Sequence, residues 1–404
     1  MSINVTHIVR QYLPSIGGME EVVRNIALHQ ARTGQQATRI ITLDRLFRNT
    51  SQRLPEREEI GGVEVVRLPY YGSSRYPLCP SILGQLGSTD VVHVHGVDFF
   101  YDFLALTKWW HRRPLVLSTH GGFFHTSFAS RAKQAYFKTV TRLSAKAYSQ
   151  VVATSANDGQ LFSRIMSGPK LQVIENGVDV DKYRDQASLS LQPTLMYFGR
   201  WSSNKGLLES LQLIAKLKAR DPHWQLIIAG REYDHSLTEL QTRIDELGIK
   251  DHVQLVANPS DEEIRTLLQQ ASYFLCLSRH EGFGIAPIEA MSAGLTPILS
   301  DIPPFQRLAK RSGLGFTIKT DASPDAAIDS LLQLHAEGQD AYLARRRIAM
   351  TFSRQYAWPR VADRYLELYD KLGGRPLGNP LSTLLSACRW RCCSRCPLPM
   401  RVIA

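Results

Sequence analysis

Short runs of Val, Ile and Leu alternate along the chain with longer stretches in which apolar residues return every three or four positions. Asn4–Val9, Ala37–Thr42, Val63–Arg67, Val91–His95, Leu115–Thr119, Gln150–Ala153 and Gln172–Ile174 are the runs of the first half. Most carry few polar residues, as strands covered on both faces do. Helical patterns such as Met19–Arg32 and Arg131–Tyr148 lie between them. Val63–Arg67 follows a Gly61-Gly62 turn and is expected in a hairpin rather than in the main ladder. The alternation predicts a doubly wound α/β domain ending near Val180.

A second series follows. Thr194–Phe198, Gln225–Ala229, Val253–Val256, Tyr273–Leu277 and Thr296–Leu299 read as strands. Leu207–Arg220, Leu237–Leu247, Asp261–Gln270 and Ala286–Ala293 read as helices. The polar stretch Asp185–Gln192 reads as a linker. Near the end, Pro359 suits the first turn of a helix whose apolar stripe is Val361, Tyr365, Leu368 and Leu372. The expected organisation is therefore a first domain over 1–184, a second over 193–357, a closing helix over 358–372 and an irregular tail over 373–404. Two facing α/β domains leave a cleft at the carboxyl ends of their strands, where open sheets bind ligands.

Composition changes this picture little. With 404 residues, 44% hydrophobic and 21% charged, the chain reads as a soluble two-domain protein. It has neither a long apolar span nor a secretory leader pattern, so a cytoplasmic protein is expected. Two cysteines, Cys79 and Cys276, stand alone in the body, which gives no disulfide framework. The other four lie at 388, 392, 393 and 396 with Arg in the gaps and no His, a poor zinc pattern.

Charge says more by its distribution than by its net value of +11. No Asp or Glu occurs from Phe103 to Asn157, while Lys108, Arg112, Arg113, Arg131, Lys133, Lys138, Arg142 and Lys146 do. Arg131, Lys138, Arg142 and Lys146 fall near one helical stripe, and Tyr136, Val140, Leu143 and Ala147 fall on another, expected to pack on the sheet. A basic helix of this kind suits an anionic membrane surface or a lipid diphosphate. Nucleic acid is the general rival for any basic patch, but no nucleic-acid motif or interleaved aromatic platform is present.

Candidate chemistry concentrates in three loops. In EGFGIAPIEA, Glu281 lies in a loop and Glu289 is expected in the first turn of the helix that follows. The two carboxylates therefore read as separate grips on one ligand rather than a general acid and base on one helical face. Gly282 and Gly284 allow close backbone approach. The peptide N–H groups around Phe283, Gly284 and Ile285 would then hold a diphosphate at the helix start. In FGRWSSNKG, Arg200 and Lys205 place two cations at a strand's carboxyl end, suited to a leaving diphosphate. In IGGME, Gly17 and Gly18 open a helix on the opposite wall of the cleft. Asp179-Val-Asp181 has the spacing of a metal-binding D-x-D, but it follows NGV at the domain end and reads as a turn or cap. G-x-G-x-x-G after the first strand is absent, so hydride transfer is not indicated.

Taken together, IGGME, the THG at 119–121, the NGVD at 176–179, GRWSSNK and E-GFGIAPI-E resemble the retaining GT-B glycosyltransferases of family 4 over residues 3–372. The resemblance implies two Rossmann-like domains facing across a cleft and a nucleotide-sugar donor. It implies that Glu281 holds hydroxyls of the donor sugar and Glu289 the ribose. Arg200 and Lys205 would stabilise the diphosphate as it leaves, and His120 would line the reaction centre. It implies no metal and no cofactor. STHGGFFHTSFASRAKQAYFKTVTR is further similar to the α-mannosyltransferases that extend lipid-diphosphate-linked cellobiose in xanthan- or acetan-type exopolysaccharide assembly. The similarity implies GDP-mannose as donor, a polyprenyl-diphosphate-linked acceptor, His125 on the acceptor side and a peripheral place at the inner face of the cell membrane. A UDP-sugar transferase, a sugar-nucleotide 2-epimerase and a non-catalytic GT-B scaffold remain as alternatives.

Overall fold

The computed structural model describes residues 3–74, 76–121, 134–319 and 323–373. The first sheet contains β1 (Ile3–Ile8), β2 (Gln36–Leu43), β3 (Arg57–Ile60), β4 (Val63–Leu68), β5 (Val91–His95), β6 (Leu115–Ser118), β7 (Gln150–Ala153) and β8 (Leu171–Val173). Their spatial order is β8-β7-β6-β5-β1-β2-β4-β3. The second contains β9 (Thr194–Phe198), β10 (Gln225–Gly230), β11 (Val253–Ala257), β12 (Tyr273–Cys276), β13 (Thr296–Ser300) and β14 (Phe316–Ile318), in the order β11-β10-β9-β12-β13-β14. All neighbours pair in parallel except the edge pair β3–β4.

Each sheet starts near its middle, winds to one side and then to the other. The direction reverses between β1 and β5 in the first sheet and between β9 and β12 in the second. Such a reversal leaves a crevice beyond the strand ends, because successive crossover helices leave on opposite faces. The site must be sought in the loops after these four strands.

Every strand expected from the sequence is present, its ends displaced by no more than one residue. Val63–Arg67 needs a correction. β4 does form a hairpin with β3, but it also pairs in parallel with β2 inside the main ladder. Val65 and Val66 are both fully covered, so this strand is internal, and the charged Arg57-Glu58-Glu59 of β3 supplies the outer edge. Residues 303–353, unassigned by pattern, form three helices, Pro303–Ser312, Asp325–Ala336 and Gly338–Ser353. The linker Asp185–Gln192 is strapped to the second domain. Asp185 pairs with Arg346 at 2.6 Å, and Tyr342 donates from its hydroxyl to the Ser188 carbonyl at 2.6 Å.

Four helices frame the cleft: α1 (Gly18–Thr33), α2 (Leu207–Arg220), α3 (Ile285–Ala293) and α4 (Trp358–Leu372). α4 carries the chain back onto the first domain. Val361, Tyr365, Leu368 and Tyr369 pack with Ile3 and Val5 of β1, Val22 and Ile26 of α1, and Val91 of β5. Each such apolar side chain contributes about 1.5–3 kcal/mol when fully buried. The outgoing and returning crossings touch: the Val178 N–H donates to the Tyr356 carbonyl at 2.8 Å. A Cβ on Gly177 would lie 2.3 Å from the Trp358 indole, so only glycine lets the two crossings approach this closely.

The basic segment after Gln134 departs from expectation. Phe137–Thr141 forms a π-helical turn, followed by an α-helical turn over Arg142–Ala145. The wider turn gives a four-residue repeat, and the buried stripe is Phe137, Thr141, Ala145 and Tyr148. Val140 and Leu143, expected to pack on the sheet, are exposed, as are Lys138, Arg142 and Lys146. Arg131 and His125 lie outside the described residues, as does the cysteine-bearing tail beyond Gly373.

Candidate functional site

The loops after β9 and β12 flank the reversal point of the second sheet and are bound to each other. Gly206 has φ 68°, and a Cβ there would fall 2.2 Å from the Leu277 carbonyl oxygen, so glycine is required on both counts. The Arg279 N–H donates to the Asn204 carbonyl at 2.8 Å, and the Asn204 side-chain amide donates to the His280 carbonyl at 2.6 Å. This stitching brings Lys205 to Glu281. The ammonium donates to the carboxylate at 2.5 Å, and the Ser278 hydroxyl donates to the same oxygen at 2.8 Å. Both side chains are largely covered, at 21% and 15% exposure, where a charge-assisted hydrogen bond is stronger than on an open surface. Glu281 is thus anchored at the cleft wall with its second oxygen available to a ligand hydroxyl.

Arg200 leaves the same loop in another direction. It is exposed, and its guanidinium lies over the Tyr233 ring at 5.1 Å from the centroid. The expected pair of cations therefore shares a loop, with Lys205 against Glu281 and Arg200 at the rim.

Gly284 caps α3, with φ 96°, so the chain turns directly into the helix at Ile285. Glu289 is then the fifth helical residue and stands in the second turn, not the first as expected. Its peptide N–H is spent inside the helix, so only its carboxyl group can act. Burial is the main cause that raises this carboxyl to about 7, with Asp179 and Asp261 adding to the rise and Lys182 opposing it. Near neutral pH it is a part-protonated acid that can donate to, as well as accept from, a hydroxyl. Asp179 accepts from the Asp181 and Lys182 N–H groups at 3.3 and 3.2 Å, the turn role read from its position in the sequence.

From the first domain, the loop after β6 brings His120. Its backbone has φ 51°, which turns the chain sharply at the strand end. A cavity of about 460 Å³ is lined by His120, Thr154, Ser155, Asn157 and Asp158 on one side and His280, Gly282 and Phe283 on the other. His120, Gly282 and Phe283 therefore meet across the cleft. Gly17 and Gly18 do not join them. Gly18 lines a second cavity of about 820 Å³ with Arg10, Glu20 and Arg48, to which the second domain contributes Arg231. Gly17 is extended, with φ −162°, and a Cβ there would press on the Glu20 carboxylate at 2.5 Å.

Several groups at the site were not singled out from the sequence. Asp158 accepts from the hydroxyls of Thr119 and Thr154 at 2.8 and 3.2 Å and fixes the wall beneath His120. Arg307 donates to Asn157 at 2.9 Å and Arg311 pairs with Glu175 at 2.7 Å, tying the two domains beside the cavity. His7, His93 and His95 are fully buried behind His120. Two histidines in VVHVH were the available signal, since a strand covered on both faces is otherwise apolar.

Residues 16–182 match the family described as Glycosyltransferase Family 4, and residues 179–348 the family described as Glycosyl transferases group 1. A Xanthomonas campestris protein named GDP-mannose:cellobiosyl-diphosphopolyprenol alpha-mannosyltransferase is 52% identical over 92% of this chain and 98% of its own. A Komagataeibacter xylinus protein of the same name is 40% identical over 93% of this chain and 95% of its own. Among solved structures, a glycosyltransferase from Rickettsia africae superposes with a TM-score of 0.72 at 18% identity, over 93% of this chain and 100% of its own. Anabaena HepE, solved with UDP and glucose, superposes with a TM-score of 0.64 at 17% identity, over 91% of this chain and 100% of its own. The fold is GT-B.

The raised Glu289 carboxyl makes a signed prediction. Its folded pKa of about 7 exceeds its ordinary value of 4.5, so folding favours the protonated form. Its contribution to stability falls as pH rises from about 4.5 to 7 and is constant above. Glu289→Gln removes that loss, about 3 kcal/mol at pH 8. Thermal melts from pH 5 to 8 should show the variant gaining on the parent as pH rises; a constant difference would mean the carboxyl is not perturbed.

Proposed function

The chain belongs to glycosyltransferase family 4, and on that footing we propose that it transfers mannose from GDP-mannose, with retention, to cellobiose carried on a polyprenyl diphosphate. The observation that carries the reading is the 52% identity to the Xanthomonas campestris transferase along 98% of that relative's length.

The site residues take the following roles. The donor lies in the cleft with its diphosphate at the start of α3, where the peptide N–H groups near Gly284 and Ile285 and the helix dipole favour negative charge. Lys205 turns from Glu281 to the diphosphate, and Arg200 covers it from the rim. Both offset the charge that grows as GDP departs. Glu281, still held by Ser278, accepts from mannose hydroxyls, and Glu289 meets the ribose. In the transfer step the bond from mannose C1 to the β-phosphate oxygen breaks, and its electron pair stays on the phosphate. The acceptor hydroxyl oxygen bonds to C1 on the same face. Its proton passes to a phosphate oxygen, giving GDP and an α-mannoside. Glu281 is a grip in this step, since its carboxylate, still anchored by Ser278, is engaged by the sugar hydroxyls.

The acceptor's lipid requires the enzyme to work at a membrane surface. Among the described residues no helix is long and apolar enough to cross a membrane. The support for surface docking is a face of the first domain. Leu106, Trp109 and Trp110 are 75%, 74% and 67% exposed. Leu106 ends the helix Phe99–Leu106, whose Asp102 accepts from Ser144 at 2.6 Å, and the two tryptophans lie in the short helix Lys108–His111. The neighbouring turn adds exposed Val140 and Leu143 with Lys138, Arg142 and Lys146. Indole rings beside cations suit the headgroup region of an anionic bilayer.

Two measurements test these readings. Labelled mannose should pass from GDP-mannose to the lipid-diphosphate cellobiose, while UDP-glucose in a parallel assay gives no product. Lys205→Ala should lower kcat by about 10²–10³. Transfer from UDP-glucose alone, or full activity of Lys205→Ala, would remove the proposal. In sedimentation with phosphatidylglycerol vesicles, a Trp109→Ser/Trp110→Ser double variant should bind roughly tenfold more weakly than the parent. Unchanged binding would place the membrane face elsewhere.

A further inference from the structure

A file of imidazoles runs from the cavity into the first domain. His120 Nε2 lies 3.0 Å from His95 Nδ1, and His95 Nε2 lies 3.0 Å from His7 Nδ1. His7 Nε2 lies 2.6 Å from Gln30 Oε1. The Gln30 amide donates to Gln36 Oε1 at 3.0 Å. The Gln36 amide donates to the Leu366 carbonyl at 3.1 Å and the Asp370 carboxylate at 2.8 Å. The last two groups belong to α4, so the file joins the return helix to the cleft.

Burial holds these rings uncharged. Desolvation lowers His7 to about 4 and His120 to about 3, and it lowers His95 far below the usual value. A neutral imidazole has one N–H and one bare nitrogen, so each ring passes on the direction of the bond it receives.

His7, His93 and His95 bring ring nitrogens within 4.8 Å of one another, a spacing that raises a metal site. All six nitrogens have protein partners instead. His93 takes the Tyr369 hydroxyl at 2.6 Å and the Ser118 hydroxyl at 2.8 Å, and the other two rings bond within the file. No lone pair is left for a shared ion, so the cluster is a hydrogen-bond network.

The direction of that network is fixed at α4. A carbonyl only accepts, so Gln36 presents its NH₂ to Leu366 and its oxygen to Gln30. Gln30 then presents NH₂ to Gln36 and oxygen to His7. His7 must donate from Nε2 and accept at Nδ1. His95 must donate to it from Nε2 and accept at Nδ1. His120 must donate from Nε2. Among the described residues its Nδ1 has no hydrogen-bond partner, and the ring lines the cavity.

We infer that the Leu366 carbonyl and the Asp370 carboxylate, through Gln36, Gln30, His7 and His95, lock His120 as the Nε2–H tautomer, so that it meets the sugar substrate as a hydrogen-bond acceptor at Nδ1. A sugar hydroxyl is the matching donor. Reversing one ring would set two N–H groups against each other in a buried space, a contact that leaves donors unsatisfied. His7, His95, Gln30 and Gln36 are positioning residues, and the inference rests on the cavity being the sugar site.

The test reads protons directly. The full chain is labelled with ¹⁵N-histidine, and its imidazole nitrogens are observed by NMR at pH 7, with assignment by single-histidine substitutions. His7, His95 and His120 should each show a protonated Nε2 and a bare Nδ1. A protonated Nδ1 at any of the three would overturn the inference, and this spectrum of the parent protein does not depend on any variant folding. Gln30→Met removes the oxygen that receives the His7 proton. It should give two tautomers at His120 and a kcat roughly five- to tenfold lower, with KM for the nucleotide sugar unchanged. Gln30→Glu, which keeps an oxygen toward His7, should restore a single tautomer and most of the rate. A lower melting temperature in Gln30→Met with His120 still in one tautomer would mean a structural role only. The tautomer readout needs no turnover, so failure of mannosyl transfer and failure of the lock are separately visible.

Discussion

The paired crossing of the chain between its two domains is the constraint on which the rest depends. The chain leaves the first domain through Gly177 and Val178 and returns through Tyr356 and Trp358, and the two crossings bond to each other. Two parallel sheets are thereby held with their carboxyl edges toward one cleft. Arg307 and Arg311 add ties on the same side. α4 then covers β1 and α1 with Val361, Tyr365 and Tyr369, so the last described helix completes the core of the first domain. Loss of that helix would expose apolar surface and also the acceptors that end the histidine file.

The cleft divides its chemistry between the domains. The second domain supplies charge: Lys205 and Glu281 hold each other, Arg200 stands at the rim, and α3 offers its positive end. The first domain supplies a hydrogen-bonding wall of His120, Thr154 and Ser155, with the Asp158 carboxylate held behind it by the Thr119 and Thr154 hydroxyls. A nucleotide sugar has the matching division, with an anionic diphosphate at one end and neutral hydroxyls at the other. An ion pair across the two loops also settles a solvation problem. A partly buried carboxylate or ammonium alone would be costly, and each is the other's partner until a ligand replaces it.

The fold was legible because in both sheets every strand pair but one edge pair is parallel and most strands are buried, so they read as apolar runs of the right length. Segments stabilised by local charge or by tertiary packing were less so. β3, with Arg57-Glu58-Glu59-Ile60, is an edge whose polarity hides it, and the helices over 303–353 went unassigned although Pro303-Pro304, Gly313, Pro324 and Gly338 mark their ends. The π-helical turn at Phe137–Thr141 defeated a 3.6-residue reading and exchanged the expected buried stripe, Val140 and Leu143, for Phe137 and Ala145. Within the site, the loops that carry Glu281 and Lys205 and a helix start close to Ile285 were legible from spacing, since loop and helix positions follow from Gly284 and Pro287. Long-range partners were not. Nothing in the local pattern links His7 to His95, 88 residues apart, or Gln36 to Asp370, 334 residues apart. Those links exist only once the sheet order is known.

The proposed double grip of Glu281 and Glu289 on one nucleotide sugar is open to direct measurement. A crystal structure of the complex with GDP-mannose measures it. The predicted result has the Lys205–Glu281 pair opened, Lys205 within about 3 Å of the diphosphate, Glu281 on mannose hydroxyls and Glu289 on the ribose. A nucleotide bound elsewhere, with Lys205 and Glu281 still joined, would contradict it.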